Sequence, residues 1–131
     1  MEENINPVFV VDASYVLSFL MPDEQSTKAV SIFNSFSKHE IHVLTTTLLP
    51  YEVINSLRTN THRKRISTSM AHNLVDRFVQ LNIPELSVDI NRVIQLALNN
   101  NITCYDASYI ALAKEKHAKL LTFDERLKKL A

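Results

Sequence analysis

Val8-Phe9-Val10-Val11 sets four β-forming apolar residues in a row with no polar residue between them. A strand with one wet face alternates; an unbroken apolar run belongs in a parallel sheet covered on both faces. Parallel strands need crossover connections, usually helices, and the rest of the chain supplies helical and strand-like segments in turn. Helical spacing predicts helices over 14–20 and about 26–38, the second carried by Ala29, Val30, Ile32, Phe33 and Phe36. Ile41 to Thr45 reads as the next strand, and Pro50 suits the first turn of a helix that aligns Leu49, Val53 and Leu57. Ser67–Leu81 and Ile90–Asn99 read as further helices around a short strand at Leu86-Ser87-Val88. Ile102-Thr103-Cys104-Tyr105 is a candidate strand. Asp106 then opens a helix to about Lys116 that is apolar on most faces and therefore buried. Lys119–Thr122 forms the last strand and Asp124 opens a terminal helix. The expectation is an α/β fold with short, mainly parallel strands flanked by helices.

The 131 residues suit one domain, 1–131, and 46% hydrophobic with 21% charged residues is globular rather than disordered composition. Fourteen basic and fourteen acidic residues cancel, so any attraction to nucleic acid has to come from a local patch. There is no glycine. That excludes the glycine-rich phosphate loop and the dinucleotide fingerprint, which makes ATP, GTP and NAD poor candidates. The single cysteine, Cys104, permits no intrachain disulfide. No basic segment followed by an apolar stretch opens the chain, and no apolar run approaches the ~20 residues that cross a bilayer. The expected compartment is the cytoplasm, without a membrane.

Four acidic residues sit at the edges of apolar blocks: Asp12 after the first strand, Glu52 within Thr47–Ile54, Asp106 before Ala107–Ala113, and Asp124 after Leu120-Leu121-Thr122-Phe123. Charged residues are seldom buried without a partner, so each needs a capping role or a cation. Asp106 and Asp124, taken singly, also fit helix N-caps, and Glu52 a solvated helix position. As a set they point to an acidic pocket, because ligands in such folds bind at the carboxyl ends of the strands. Crowded carboxylates repel unless a cation enters. Mg²⁺ or Mn²⁺ suits carboxylate and water ligands, and such an ion favours phosphodiester hydrolysis.

These blocks resemble the PIN-domain ribonucleases, and within them the VapC-type toxins of toxin–antitoxin pairs. Val10-Val11-Asp12-Ala13-Ser14 looks like the family's strand followed by D-x-S, and Pro50–Asn55 like its second acidic block. Tyr105-Asp106-Ala107-Ser108-Tyr109-Ile110-Ala111-Leu112-Ala113 is the most specific block, and Leu120–Leu127 resembles the closing L-x-T-x-D-x-x-L. The similarity runs from Val8 to Leu130. It implies a PIN-like three-layer sandwich and an endoribonuclease dependent on Mg²⁺ or Mn²⁺. Asp12 and Asp106 would be direct metal ligands, with Glu52 and Asp124 acting through water or on a second ion. Ser14, Asn55 and Thr122 would orient the carboxylates. The resemblance also implies an RNA substrate, a homodimer and a cognate antitoxin covering the site. Two departures stand out. Lys116-His117-Ala118-Lys119 replaces a loop where the family often has glycine, which asks a residue with a side chain to adopt a left-handed turn. Tyr15 is bulkier than the small aliphatic residue expected after D-x-S.

Arg58, His62, Arg63, Lys64 and Arg65 form the one basic cluster, a candidate for RNA phosphates or simply a solvated helix end. His39 and His42 lack the further ligands of a zinc site. Cys104 reads as a core residue rather than a nucleophile, and Tyr51 and Tyr105 as packing residues, with stacking on bases as the alternative. A phosphatase with Asp12 as nucleophile would call for a second aspartate where Ser14 stands. An RNA-binding or assembly module without chemistry is the non-enzymatic alternative.

Overall fold

A computed structural model describes residues 6–131; of the expected domain, residues 1–5 lie outside the described residues. Four strands, β1 (Val8–Val11), β2 (His42–Thr46), β3 (Glu85–Leu86) and β4 (Lys119–Leu121), form one sheet in the order β3-β2-β1-β4. Every pairing is parallel. Strand β1 lies between β2 and β4, with Val10 opposite Leu44 on one side and Leu120 on the other. Its unbroken apolar run thus occupies the interior position that such a run predicts.

The helices are α1 (Ala13–Leu20), α2 (Thr27–Ser37), α3 (Leu49–His62), α4 (Thr68–Leu81), α5 (Ile90–Asn100), α6 (Cys104–Glu115) and α7 (Glu125–Leu130). Helices α1 to α4 pack among themselves, while α6 packs on β1, β2 and β4 and against α5 and α7. Residues Ala107 to Ala113 of α6 are all buried, so this helix is covered all round, as its apolar character requires. Val10, Val11, Val16, Leu20, Leu49 and Ile110 are among the residues of the central core. Among the described residues no helix is long and apolar enough to cross a membrane.

The candidate strand at Ile102–Tyr105 does not form. Thr103 is the N-cap of α6, its hydroxyl accepting from the Asp106 amide at 3.0 Å, so the helix begins at Cys104 and Asp106 lies inside the first turn instead of capping it. A capping threonine three residues before Asp106 satisfies the helix start without an aspartate cap. Cys104 is consequently exposed at the helix start and not part of the core. Strand β3 is only two residues long and one register earlier than Leu86–Val88, fixed by the Thr45 amide donating to the Pro84 carbonyl at 3.0 Å.

The missing glycine leaves a clear mark at the helix ends. His39, Lys64, Asn82, Asn101 and His117 all have positive φ, between 50° and 60°. After α6, His117 donates to the Lys114 carbonyl at 3.3 Å and Ala118 to the Ala113 carbonyl at 2.8 Å, the paired bonds of a Schellman turn. Left-handed backbone costs a residue with Cβ about 1–2 kcal/mol, part of which glycine returns as lost chain entropy. His117→Gly is therefore expected to raise stability by about 0.5–1 kcal/mol. In a thermal melt the midpoint should rise by about 1–4 °C, whereas His117→Ala, which keeps the Cβ, should show no such gain.

Candidate active site

Because all four strands run the same way, their carboxyl ends share one edge of the sheet. Asp12 follows β1 there and caps α1; Thr122 and Asp124 follow β4. Glu52 arrives in the first turn of α3 and Asp106 in the first turn of α6.

Asp12 is buried and held at both carboxylate oxygens. Its Oδ1 accepts from the Ser14 hydroxyl at 2.7 Å and from the Tyr15 amide at 3.0 Å, and its Oδ2 accepts a short hydrogen bond from Thr122. The loop after β4 is tied to the same group: the Phe123 amide donates to Ser14 Oγ at 3.0 Å and the Asp124 amide to Thr122 Oγ1 at 3.0 Å. Burial pushes the Asp12 carboxyl above its ordinary value, the hydrogen bonds from Thr122, Ser14 and Tyr15 oppose this, and the charge of Asp106 adds to the rise. Ser14 and Thr122 thus touch the carboxylate they were expected to orient.

Glu52 accepts a 2.5 Å hydrogen bond from the phenol of Tyr109. Burial raises the Glu52 carboxyl, the Tyr109 bond lowers it, and the charges of Asp106 and Asp12 raise it again. Tyr109, itself buried, is held well above the ordinary phenol range by burial and by the Glu52 carboxylate, so it stays a donor. Asp12, Glu52 and Asp106, from three separate segments, therefore lie within electrostatic reach of one another. Asp124 joins through Arg126, whose Nη2 stands 3.5 Å from Asp106 Oδ2 and 3.9 Å from Asp124 Oδ2. Among the described residues no three Asp, Glu, His or Cys side chains stand close enough to chelate one ion by themselves.

The structure also brings in residues that the sequence reading left out. Tyr109 lies one helical turn after Asp106, and a phenol inside an otherwise apolar, buried helix needs a polar partner, which was the available signal. Tyr15 stacks on Phe123 with ring centroids 5.0 Å apart and 12° between planes, and also touches Phe33. The bulky departure after D-x-S thereby clamps the Asp12 turn to the loop carrying Asp124. Asn55 does not join them: it is exposed on α3, beside Tyr51, Ile54 and Arg58 around a shallow groove, and among the described residues makes no hydrogen bond to the four carboxylates. Tyr51 and Tyr105, read as packing residues, are instead 70% and 62% exposed, because each sits in the first turn of its helix on the solvent side. Arg58 lies on α3, with Arg63, Lys64 and Arg65 in the exposed turn that follows it.

The sequence profile of the PIN domain matches residues 9–131. The chain belongs to the PIN domain family. It is 33% identical over 122 residues to a protein named Ribonuclease VapC3 from Pyrobaculum aerophilum, covering 90% of each chain. The crystal structure of PAE2754 from Pyrobaculum aerophilum superposes with a TM-score of 0.76 over 95% of this chain and 80% of the other, at 22% identity, a likeness of fold alone.

Proposed function

We propose that this PIN-domain chain is an endoribonuclease that uses Mg²⁺ or Mn²⁺ to hydrolyse RNA phosphodiester bonds, as the toxin of a toxin–antitoxin pair. The observation that carries the reading is the buried, hydrogen-bonded Asp12 carboxylate facing the charges of Asp106 and Glu52 at the strand ends. Its likeness to a protein named Ribonuclease VapC3 supports RNA as substrate.

The donors fit a hard divalent ion. Oxygen is the required ligand type, and Mg²⁺ commonly takes one or two protein carboxylates and keeps water for the rest, so a chelating cluster of three is not needed. Asp12 and Asp106 would hold the ion directly, with Glu52 and Asp124 acting through water. When bound, the ion supplies charge compensation for the phosphodiester and acidifies a water for in-line attack. The chain's own residues fix the geometry. Ser14, Thr122 and the Tyr15 amide hold both Asp12 oxygens in one orientation, and Tyr109 does the same for one oxygen of Glu52. Such outer contacts fix the orientation and basicity of the groups that hold an ion.

Arg58, Arg63, Lys64 and Arg65 supply exposed positive charge for RNA phosphates away from the acidic edge. The row Ile90, Ile94 and Leu98 leaves an apolar face exposed on α5, which supports a homodimer. A cognate antitoxin would cover the acidic edge with basic and apolar residues. The reaction would take place in the cytoplasm.

The test is cleavage of total RNA by purified, antitoxin-free protein with Mg²⁺, with Mn²⁺ and with EDTA, beside Asp106→Asn. Discrete fragments that need the metal and vanish in the variant are the expected result. Absence of cleavage by folded protein with either metal would favour the RNA-binding module without chemistry.

A further inference from the structure

Arg126 is the one cation among the described residues that pairs with any of the four acidic residues. Its position is not that of a loose surface arginine. Its backbone amide donates to Asp124 Oδ1 at 2.8 Å, so the carboxylate that caps α7 also fixes the main chain of Arg126. From that anchor the side chain reaches toward α6, and a single nitrogen lies between Asp106 Oδ2 and Asp124 Oδ2. The distances, 3.5 and 3.9 Å, exceed those of a tight charge-assisted hydrogen bond, and the side chain is 61% exposed. A pair of this kind is weak and readily exchanged. A divalent ion held directly by Asp106, with Asp124 reaching it through water, takes the Asp106 oxygen at about 2.0–2.1 Å, so it competes with the guanidinium for both carboxylates.

We propose that Arg126 is the counter-cation built into the acidic centre, which a divalent ion must displace and which, once displaced, takes a phosphate oxygen of the RNA. The role presupposes the divalent-ion site proposed above. The guanidinium lowers the affinity for the ion by holding Asp106 and Asp124 in its absence. It also keeps a permanent positive charge, with a planar fork suited to phosphate, beside those two carboxylates. Arg126 acts on the substrate only after it has left the carboxylates.

The experiment is calorimetric titration of Mn²⁺ alone into the wild-type chain, Arg126→Ala, Arg126→Lys and Lys129→Ala, each checked for folding by thermal melting, followed by RNA cleavage at saturating Mn²⁺. Lys129 is an exposed residue of the same helix, so its loss controls for the change in overall charge. Arg126→Ala is expected to bind Mn²⁺ about threefold to tenfold more tightly, the range for losing two exposed ion pairs, and yet to cleave about tenfold or more slowly. Lysine at 126 should restore part of the cleavage, and Lys129→Ala should match wild type in both. Tighter binding with slower cleavage is a combination that a merely structural role for Arg126 does not produce. Unchanged or weaker Mn²⁺ binding in Arg126→Ala, or an equal gain in Lys129→Ala, overturns the proposal while leaving the ion site standing. A wild-type chain that binds no Mn²⁺ overturns both.

Discussion

Asp12→Asn is expected to reduce metal-dependent RNA cleavage by about a thousandfold, equivalent to about 4 kcal/mol of transition-state stabilisation, while the protein remains folded. Asparagine suits the cap position of α1 as well as aspartate does. Its carbonyl oxygen can still accept from the Tyr15 amide and Ser14, and its amide can donate to Thr122 Oγ1, whose hydroxyl turns to accept. What disappears is a negative charge at the centre of the acidic edge. The same variant carries a stability signature with a definite sign. Burial raises the Asp12 carboxyl above its ordinary value of 3.8, so the folded state holds the proton more tightly than the unfolded state. That contribution is fully present below the ordinary value and is lost as pH rises through the folded-state value. Above the folded-state value the metal-free wild type therefore bears a buried, ionised carboxylate that Asp12→Asn lacks. Thermal melts in EDTA should show the variant gaining stability relative to wild type as pH rises through the folded-state value of Asp12, with no such gain below the ordinary value of 3.8. Retained cleavage in the variant would remove Asp12 from the catalytic machinery; a melting difference independent of pH would remove its buried charge as the cause.

Tyr109 separates packing from positioning. Tyr109→Ala should cost about 3–5 kcal/mol, because it empties a large, fully buried position in the middle of α6. Chemical denaturation would read this as a lower midpoint at similar slope. Tyr109→Phe keeps the ring and removes the hydroxyl that donates to Glu52 and also meets Thr46. Its expected effect is a tenfold to hundredfold loss of cleavage or metal affinity, about the size that outer contacts to metal-holding groups carry, with a small change in stability. Removing the donor also takes away the contact that opposes the rise in the Glu52 carboxyl. The rising limb of the pH–rate profile should move to higher pH in Tyr109→Phe. An unmoved profile with full activity would leave Tyr109 as a core residue only.

The parts legible from the sequence were those that depend on neighbours along the chain. An unbroken apolar run sufficed to place β1 inside a parallel sheet, and the apolar character of 107–113 to bury α6. Strand ends could be located because Asp12 and Asp124 interrupt apolar blocks. What failed locally was the start of α6, where Thr103 outcompeted Asp106 for the cap, and with it the burial of Cys104. Long-range partnerships were not legible. Nothing near Tyr109 in sequence announces Glu52, fifty-seven residues away. Nor does Arg126 within the closing block announce Asp106 on another helix. Exposure of Tyr51 and Tyr105 likewise depends on which side of α3 and α6 the sheet covers, which spacing alone leaves open.

The bond from Thr122 to Asp12 spans 110 residues and joins the ends of two adjacent strands. On a ribosome Asp12 emerges long before the segment that holds it. Until β4 pairs beside β1, the Asp12 carboxylate has no Thr122, no stacked Phe123 and no Asp124 nearby. Contacts so distant in sequence form late, because loop closure must precede them. A nascent chain therefore carries its acidic residues unassembled until β4 has emerged and paired beside β1. For an enzyme that would cut RNA, the order of synthesis itself separates manufacture from action.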